Sequence, residues 1–277
     1  MSPAETALPG TAWFPATQRH GDRAGQPPED GGLRLICLPF AGGTASAYRG
    51  WQEALGGTAD VVALQLPGRG MRLREEPYTS AAPLVADMAT ALVEHGLSDH
   101  YALFGHSMGA LLAYELACEL RERGMAEPRH LFVSGSRAPH LHGDRADHAL
   151  SDAELRDFVR GLGGLDVAGT VGTAYFERRL PVLRADLRVC DTYRWRPRPP
   201  LSCPMTAFSA AGDPIAPVPQ MEAWRAYTGS SFLRRHHPGG HFFLNEEPQR
   251  TRLLRDVRDE LSRPGAGRHT APLPAMT

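Results

Sequence analysis

The stretch YALFGHSMGALLAYELACELRERG, Tyr101 to Gly124, decides the architecture of this chain. Tyr101 to Phe104 reads as a buried strand. From Met108 onward, Leu111, Leu112, Leu116 and Leu120 recur at helical spacing, and Gly124 is a natural helix stop. Gly105-His106-Ser107-Met108-Gly109 must therefore turn a strand into a helix within a few residues. So sharp a turn leaves no room for side chains two positions either side of its apex, which is where the glycines stand. The apex side chain, Ser107, is pushed into the open at the end of a sheet.

Outward from this stretch, strand-like and helix-like segments alternate. Strands are expected at Leu33–Leu38, Val61–Leu66, His130–Ser134, Met205–Ser209 and Phe232–His236, and helices around Ala47–Leu55, Ala82–Glu94 and Gln249–Leu261. The alternation predicts an α/β fold, a mostly parallel central sheet with helices on both faces. Ligands on such sheets sit beyond the carboxyl ends of the strands. One segment breaks the rhythm. Ser151 to Tyr193 is helical with no strand between, and opens on a capping box of Ser151 and Glu154. Phe158, Leu162, Leu165, Tyr175, Phe176, Leu180 and Leu183 give it apolar faces, interrupted by Gly161, Gly163 and Gly164. The pattern fits a helical lid over the active end of the sheet, and equally a helical layer that extends the core.

The chain divides into a flexible N-terminal tail (1–32), one domain (33–262, with the helical insertion at about 151–193) and a flexible C-terminal tail (263–277). Trp13-Phe14 is the apolar exception in the first tail, expected to dock on the body. At 277 residues, 42% hydrophobic and 22% charged, the composition is that of a globular protein. A formal net charge of −1 argues against nucleic-acid binding. The sequence contains no lysine, so its positive charge is all arginine. No apolar run is long enough to span a membrane, and the N-terminus lacks the order of a signal peptide. Cys37, Cys118, Cys190 and Cys203 lie among apolar neighbours without metal-type spacing, which reads as reduced core residues in a cytoplasmic protein. A monomer is expected.

A serine hydroxyl is a poor nucleophile without a base, and the base needs a third group to fix its tautomer. Asp213, in TAFSAAGDPIAP just past a strand, is the best acid; His241, in RRHHPGGHFFLN after the next strand, is the best base. The order Ser107, Asp213, His241 is the one this kind of sheet uses. His236 and His237 belong to a strand end. His140 and His142 fall in a polar turn with no third metal ligand near them, so no metal is expected. The oxyanion donors are expected to be the N–H of Met108 and, from LPFAGGTAS, that of Ala41, with Phe40 as the neighbouring candidate. Taken as a phosphate loop, LPFAGGTAS lacks both the glycine spacing and the lysine. Phe40, Gly42, His106 and Phe242 are the expected substrate contacts, although His106 is displaced from the apex.

The segments LICLPFAGGTASAYRGW, VVALQLPGRGMRL, YALFGHSMGALLAYELA, LFVSGSRAP, LPVLRADLRVCDTY and PGGHFFL together resemble type II thioesterases of polyketide and non-ribosomal peptide synthesis, from about Leu33 to Leu261. The resemblance implies an α/β-hydrolase fold with a helical lid between the sixth and seventh strands. It implies hydrolysis of aberrant or stalled acyl groups from the phosphopantetheine arm of acyl or peptidyl carrier proteins, through an acyl-serine and with no cofactor of the enzyme's own. Its nucleophile, acid and base fall on Ser107, Asp213 and His241, and its oxyanion donors on Met108 and Ala41. An acidic carrier would dock on arginines, for which Arg69, Arg72, Arg74, Arg178 and Arg179 are candidates. A carboxylesterase or lipase acting on free esters, a chain-releasing thioesterase cut from a synthase, and an inactive binding module are the rival readings.

Overall fold

The computed structural model of the protein describes residues 11–15, 32–163 and 169–263, the side chains of Thr11 and of 169–175 excepted. Most of both expected tails, together with Gly164, Leu165 and the Tyr175 side chain, lies outside the described residues.

Six strands form one sheet: β1 Arg34–Leu38, β2 Asp60–Ala63, β3 Tyr101–His106, β4 Leu131–Ser134, β5 Met205–Ala210 and β6 Phe232–His237. Their order is β2-β1-β3-β4-β5-β6, and every neighbouring pair runs parallel. The chain starts in the interior of the sheet, moves to one edge, crosses back, and walks to the other edge. Leu38 pairs with Gly105 and His106 with Ser134, so the ends of β1, β3 and β4 meet at one rim.

The two faces separate cleanly because strand side chains alternate. Ile36, Leu38, Leu103 and Val133 pack with α2 (Ala81–Glu94) and α3 (Met108–Glu122). Leu35, Cys37, Phe104, Phe132 and Phe208 pack with α1 (Trp51–Leu55) and the terminal helix Gln249–Leu261. Helices therefore cover both faces, as the alternating pattern predicts.

Three boundaries differ from the sequence expectation. The second strand stops at Ala63 because the Gln65 N–H turns away to the Trp13 carbonyl (2.9 Å). Trp13 and Phe14 are buried in the core on the α2 and α3 side of the sheet, so this segment does dock. The helix expected from Ala47 is split at Gly50, whose φ of +80° is left-handed, into a short 3-10 turn, Ala45–Tyr48, and α1. The helical insertion, which the resemblance placed between the sixth and seventh strands, lies between the fourth and fifth of the six described strands, as α4 (Asp152–Gly161) and α5 (Gly169–Asp191).

The Ser151 capping box is present, its hydroxyl accepting from the Glu154 N–H at 3.3 Å while the Glu154 carboxylate accepts the Ser151 N–H at 2.8 Å. Leu155, Val159, Phe176, Leu180 and Leu183 form a small core of their own, separate from both faces of the sheet. Further along α5, Val189, and Tyr193 just beyond its end, join the sheet-side core. The excursion is thus independent at its outer part and rooted at its return.

Candidate active site

Ser107 lies between the last residue of β3 and the first of α3, with φ +55° and ψ −122°. Such a conformation costs a non-glycine residue roughly 1–3 kcal/mol, and it survives where the surroundings over-determine it. They do here. A Cβ on Gly105 would stand 2.0 Å from the Gly109 carbonyl oxygen, and one on Gly109 would stand 2.1 Å from that of Leu38. The Ser107 N–H donates to the Ser134 carbonyl of β4 at 2.8 Å. Strand, turn and helix are packed backbone to backbone, and the serine is half-buried at the end of the sheet.

Asp213 and His241 follow β5 and β6. Both are buried, and the His241 Nδ1 lies 2.9 Å from the Asp213 Oδ2. An ionised carboxylate only accepts, so Nδ1 carries the proton and Nε2 keeps its lone pair. The other oxygen, Oδ1, accepts the Ile215 and Ala216 N–H groups at 3.0 and 3.2 Å. Ser107 and His241 line one cavity, together with Met108, Ala41, Phe40 and Phe242. Among the described residues no hydrogen bond joins the Ser107 hydroxyl to His241. That bond characteristically tightens when a substrate fills the site.

Met108 is the first residue of α3, so its N–H is among the four that have no acceptor inside the helix. Phe40, Ala41, Gly42 and Phe242 all line the cavity. His106 does not. It is wholly buried behind the rim, its Nδ1 3.0 Å from the Ser134 Oγ and its ring centroid 4.9 Å from that of His241. Desolvation pushes its pKa well below the ordinary histidine value, so the ring stays neutral beside the base. The expected substrate contact at His106 is therefore a packing partner of His241.

The rival histidines have other hydrogen-bond partners, although His142 also lines the cavity. The His236 Nδ1 pairs with the Ser209 Oγ at 3.0 Å, and the His140 Nδ1 with the Tyr227 hydroxyl at 2.7 Å. The His142 Nε2 donates to the Arg137 carbonyl at 3.0 Å. Among the described residues no group of three His, Cys, Asp or Glu side chains could hold a metal ion.

Two of the docking arginines are misplaced by the sequence reading. Arg69 is buried in a bidentate pair with Asp186 of α5 (2.5 and 2.8 Å). Arg72 is buried over the Trp13 ring at 4.0 Å and paired with Glu75. Neither can meet a partner surface. Arg74 and Arg178 are exposed, and Arg179 lines the cavity.

One site residue escaped the sequence reading. Gly135, just after β4, takes φ +54° on the cavity wall, where a Cβ would lie 2.6 Å from the His106 Cε1 and 3.4 Å from the Asp213 Oδ2. A glycine closing a strand at the ligand end was the available signal.

A six-stranded parallel sheet, a serine on a strained strand-to-helix turn, and a histidine–aspartate pair from the ends of the last two strands define an α/β-hydrolase. Its particular family follows from comparison with known proteins. The chain belongs to the Thioesterase domain family, whose match covers residues 33–261, and it is a thioester hydrolase. It is 66% identical to RedJ, a thioesterase from the prodiginine biosynthetic pathway in Streptomyces coelicolor, whose structure superposes with a TM-score of 0.82 over 85% of this chain and 89% of that one. It is 36% identical to thioesterase PikA5 of Streptomyces venezuelae over 85% of this chain and 83% of that protein. YbtT, a type II thioesterase from the yersiniabactin NRPS/PKS pathway, is 31% identical with a TM-score of 0.71, over 86% of this chain and 98% of that one.

Proposed function

We propose that this protein is an editing thioesterase, which removes aberrant or stalled acyl groups from the phosphopantetheine arm of acyl or peptidyl carrier proteins in polyketide or non-ribosomal peptide synthesis. The observation that carries the hydrolytic part is His241, paired with buried Asp213, lining one cavity with the strained Ser107. The pathway names of RedJ and YbtT support the carrier-bound substrate.

In the proposed mechanism, His241 Nε2 takes the Ser107 proton as the oxygen attacks the thioester carbonyl. The Met108 and Ala41 N–H groups receive the developing oxyanion. Collapse expels the pantetheine thiol, which takes the proton from His241. Water, activated by the same imidazole, then cleaves the acyl-serine and regenerates the hydroxyl. No cofactor is needed for either step.

The α4–α5 excursion serves as the lid. Phe158, Val159, Leu162, Phe176, Leu183 and Leu187 come from it to line the cavity. Phe40, Ile215 and Phe242 face them from the sheet side, so an acyl chain would be held between apolar walls. Exposed Arg74 and Arg178 suit contact with an acidic carrier.

The deciding measurement is kcat/KM on an acyl-carrier thioester against a matched small oxyester. A preference for the carrier thioester of about a hundredfold or more is expected, and equal values would favour a free-ester hydrolase. Ser107→Ala should abolish both activities.

A further inference from the structure

The loop that carries Ala41 is a four-residue turn in which the Gly43 N–H donates to the Phe40 carbonyl at 2.8 Å. Gly42 has φ +74°, the left-handed value that the third position of a type II turn requires. In a trans peptide the N–H points opposite to the carbonyl. With the Phe40 carbonyl turned inward to Gly43, the Ala41 N–H is sent to the other side, and Ala41 lines the cavity with Ser107 and Met108.

The soft joint of such a turn is its central peptide, Ala41–Gly42, because type I and type II turns differ by its inversion. Here it is fastened from outside the loop. The Gly42 N–H donates to the Asp186 Oδ2 at 2.7 Å, across 144 positions of chain. The same carboxylate receives Arg69 Nη1 at 2.5 Å and Nη2 at 2.8 Å. Arg69 in turn donates to the Gly43 carbonyl at 3.3 Å and to the Pro67 carbonyl at 3.1 Å. Both side chains are almost wholly buried, Arg69 at 4% and Asp186 at 2% exposure. A buried ion pair is weak evidence for stability, since desolvation offsets most of its attraction. What this pair does specifically is grip both sides of the turn's second half.

We infer that Asp186, held by Arg69, is a positioning residue for the oxyanion hole: by fixing the second half of the turn it keeps the Gly43 N–H on the Phe40 carbonyl, and that bond orients the Phe40–Ala41 peptide whose N–H is aimed at the reacting carbonyl. This rests on the reading of Ala41 as an oxyanion donor. It also ties the hole to the helical excursion, because Asp186 belongs to α5, whose Leu183 and Leu187 line the same cavity. Seating of α5 and readiness of the hole become one event.

The test is Asp186→Asn in the full-length protein, with turnover of an acyl thioester and inhibition by an alkyl boronic acid measured together. The boronate joins the serine as a tetrahedral anion and reports on the hole, whereas KM reports mainly on acyl and pantetheine binding. The asparagine turns an N–H₂ or a neutral oxygen toward Arg69 and loosens the grip. Loss of an oxyanion donor costs on the order of 10²–10³ in kcat, and a misaimed donor should approach the lower figure. The expected result is a fall in kcat and an equal fold-rise in the boronate Ki, with KM within about twofold.

Should the single variant misfold, the double variant Arg69→Met/Asp186→Leu removes the pair without leaving a lone buried charge, and the same paired losses are expected. A folded variant of either kind with unchanged kcat, or with lower kcat but unchanged boronate affinity, overturns the positioning role. Ser107→Ala run alongside separates the two failures. Turnover retained there would sink the serine mechanism itself, whereas an inactive Ser107→Ala beside an unaffected Asp186→Asn sinks the clamp alone.

Discussion

His241 and Asp213 face each other across 2.9 Å, Nδ1 to Oδ2, while the second oxygen of the aspartate is already committed to two backbone N–H groups. Those N–H groups decide what Asp213→Asn would do. They demand an acceptor, so the amide oxygen must take the Oδ1 place and the N–H₂ must face His241. The imidazole then presents a lone pair at Nδ1 and carries its proton on Nε2, the wrong tautomer to deprotonate Ser107. We predict a loss of kcat of roughly 10³–10⁴ with little change in KM. Steady-state kinetics on an acyl thioester check this, and a loss below tenfold would be inconsistent with the assigned pair.

The elbow glycines make a second, sharper case. Gly105→Ala or Gly109→Ala would drive a methyl to within 2.0 or 2.1 Å of a backbone carbonyl oxygen, which no side-chain rearrangement can relieve. Each should destabilise by more than about 3 kcal/mol or prevent soluble expression. Gly161, the last residue of α4, meets nothing within 4 Å and has an ordinary φ. Gly161→Ala should raise stability by roughly 0.5–1 kcal/mol. Thermal unfolding of the three variants ranks them directly.

His130 offers a pH test of the fold. It is buried against Phe132, its Nε2 is 2.9 Å from the Thr206 Oγ1, and burial lowers its pKa to about 3. Below an unfolded pKa near 6.5 the unfolded chain takes up a proton that the folded chain refuses. This contribution to stability is thus present above pH 6.5 and is lost as pH falls toward 3. The slope for one such group is about 1.4 kcal/mol per pH unit. His106, His142 and His237 are shifted the same way and should add to the acid limb. Denaturant unfolding of wild type and His130→Gln between pH 6 and 4 should show a slope shallower by about one proton in the variant.

The candidate docking arginines should divide by burial. Arg74→Glu with Arg178→Glu should raise KM for an acyl-carrier substrate while leaving a small acyl thioester unaffected, because both side chains are exposed. Arg72→Ala should act on stability instead. It removes the Gln65 carbonyl contact at 3.1 Å, the Glu75 pair and the stack on Trp13, for a loss of about 1–3 kcal/mol. Kinetics with the two substrates and thermal melts separate these outcomes. An unchanged carrier KM would remove Arg74 and Arg178 from consideration.

Much of this was legible in the linear chain, for identifiable reasons. The Gly105–Ser107–Gly109 turn could be read because a reversal so tight excludes side chains at fixed offsets, and composition reports that locally. Asp213 and His241 could be read because each stands in the loop just past a strand, and an α/β sheet keeps its chemistry at strand ends. The final helix, Gln249–Leu261, matched because its apolar period is strong and Pro248 precedes it.

What the sequence determined, then, was local: which residues turn, which run straight, and which chemistry stands at each strand end. Tertiary structure alone decided which charges are spent inside. Arg69 and Arg74 lie in the same basic stretch, yet one closes on Asp186 of a distant helix and the other stays in water. Likewise His106 became a neighbour of the base, and Gly135 a neighbour of His106 and Asp213, only because strand ends far apart along the chain converge at one rim. Burial and pairing depend on chain segments brought together by packing. A pattern read over ten or twenty residues holds no information about partners a hundred residues away.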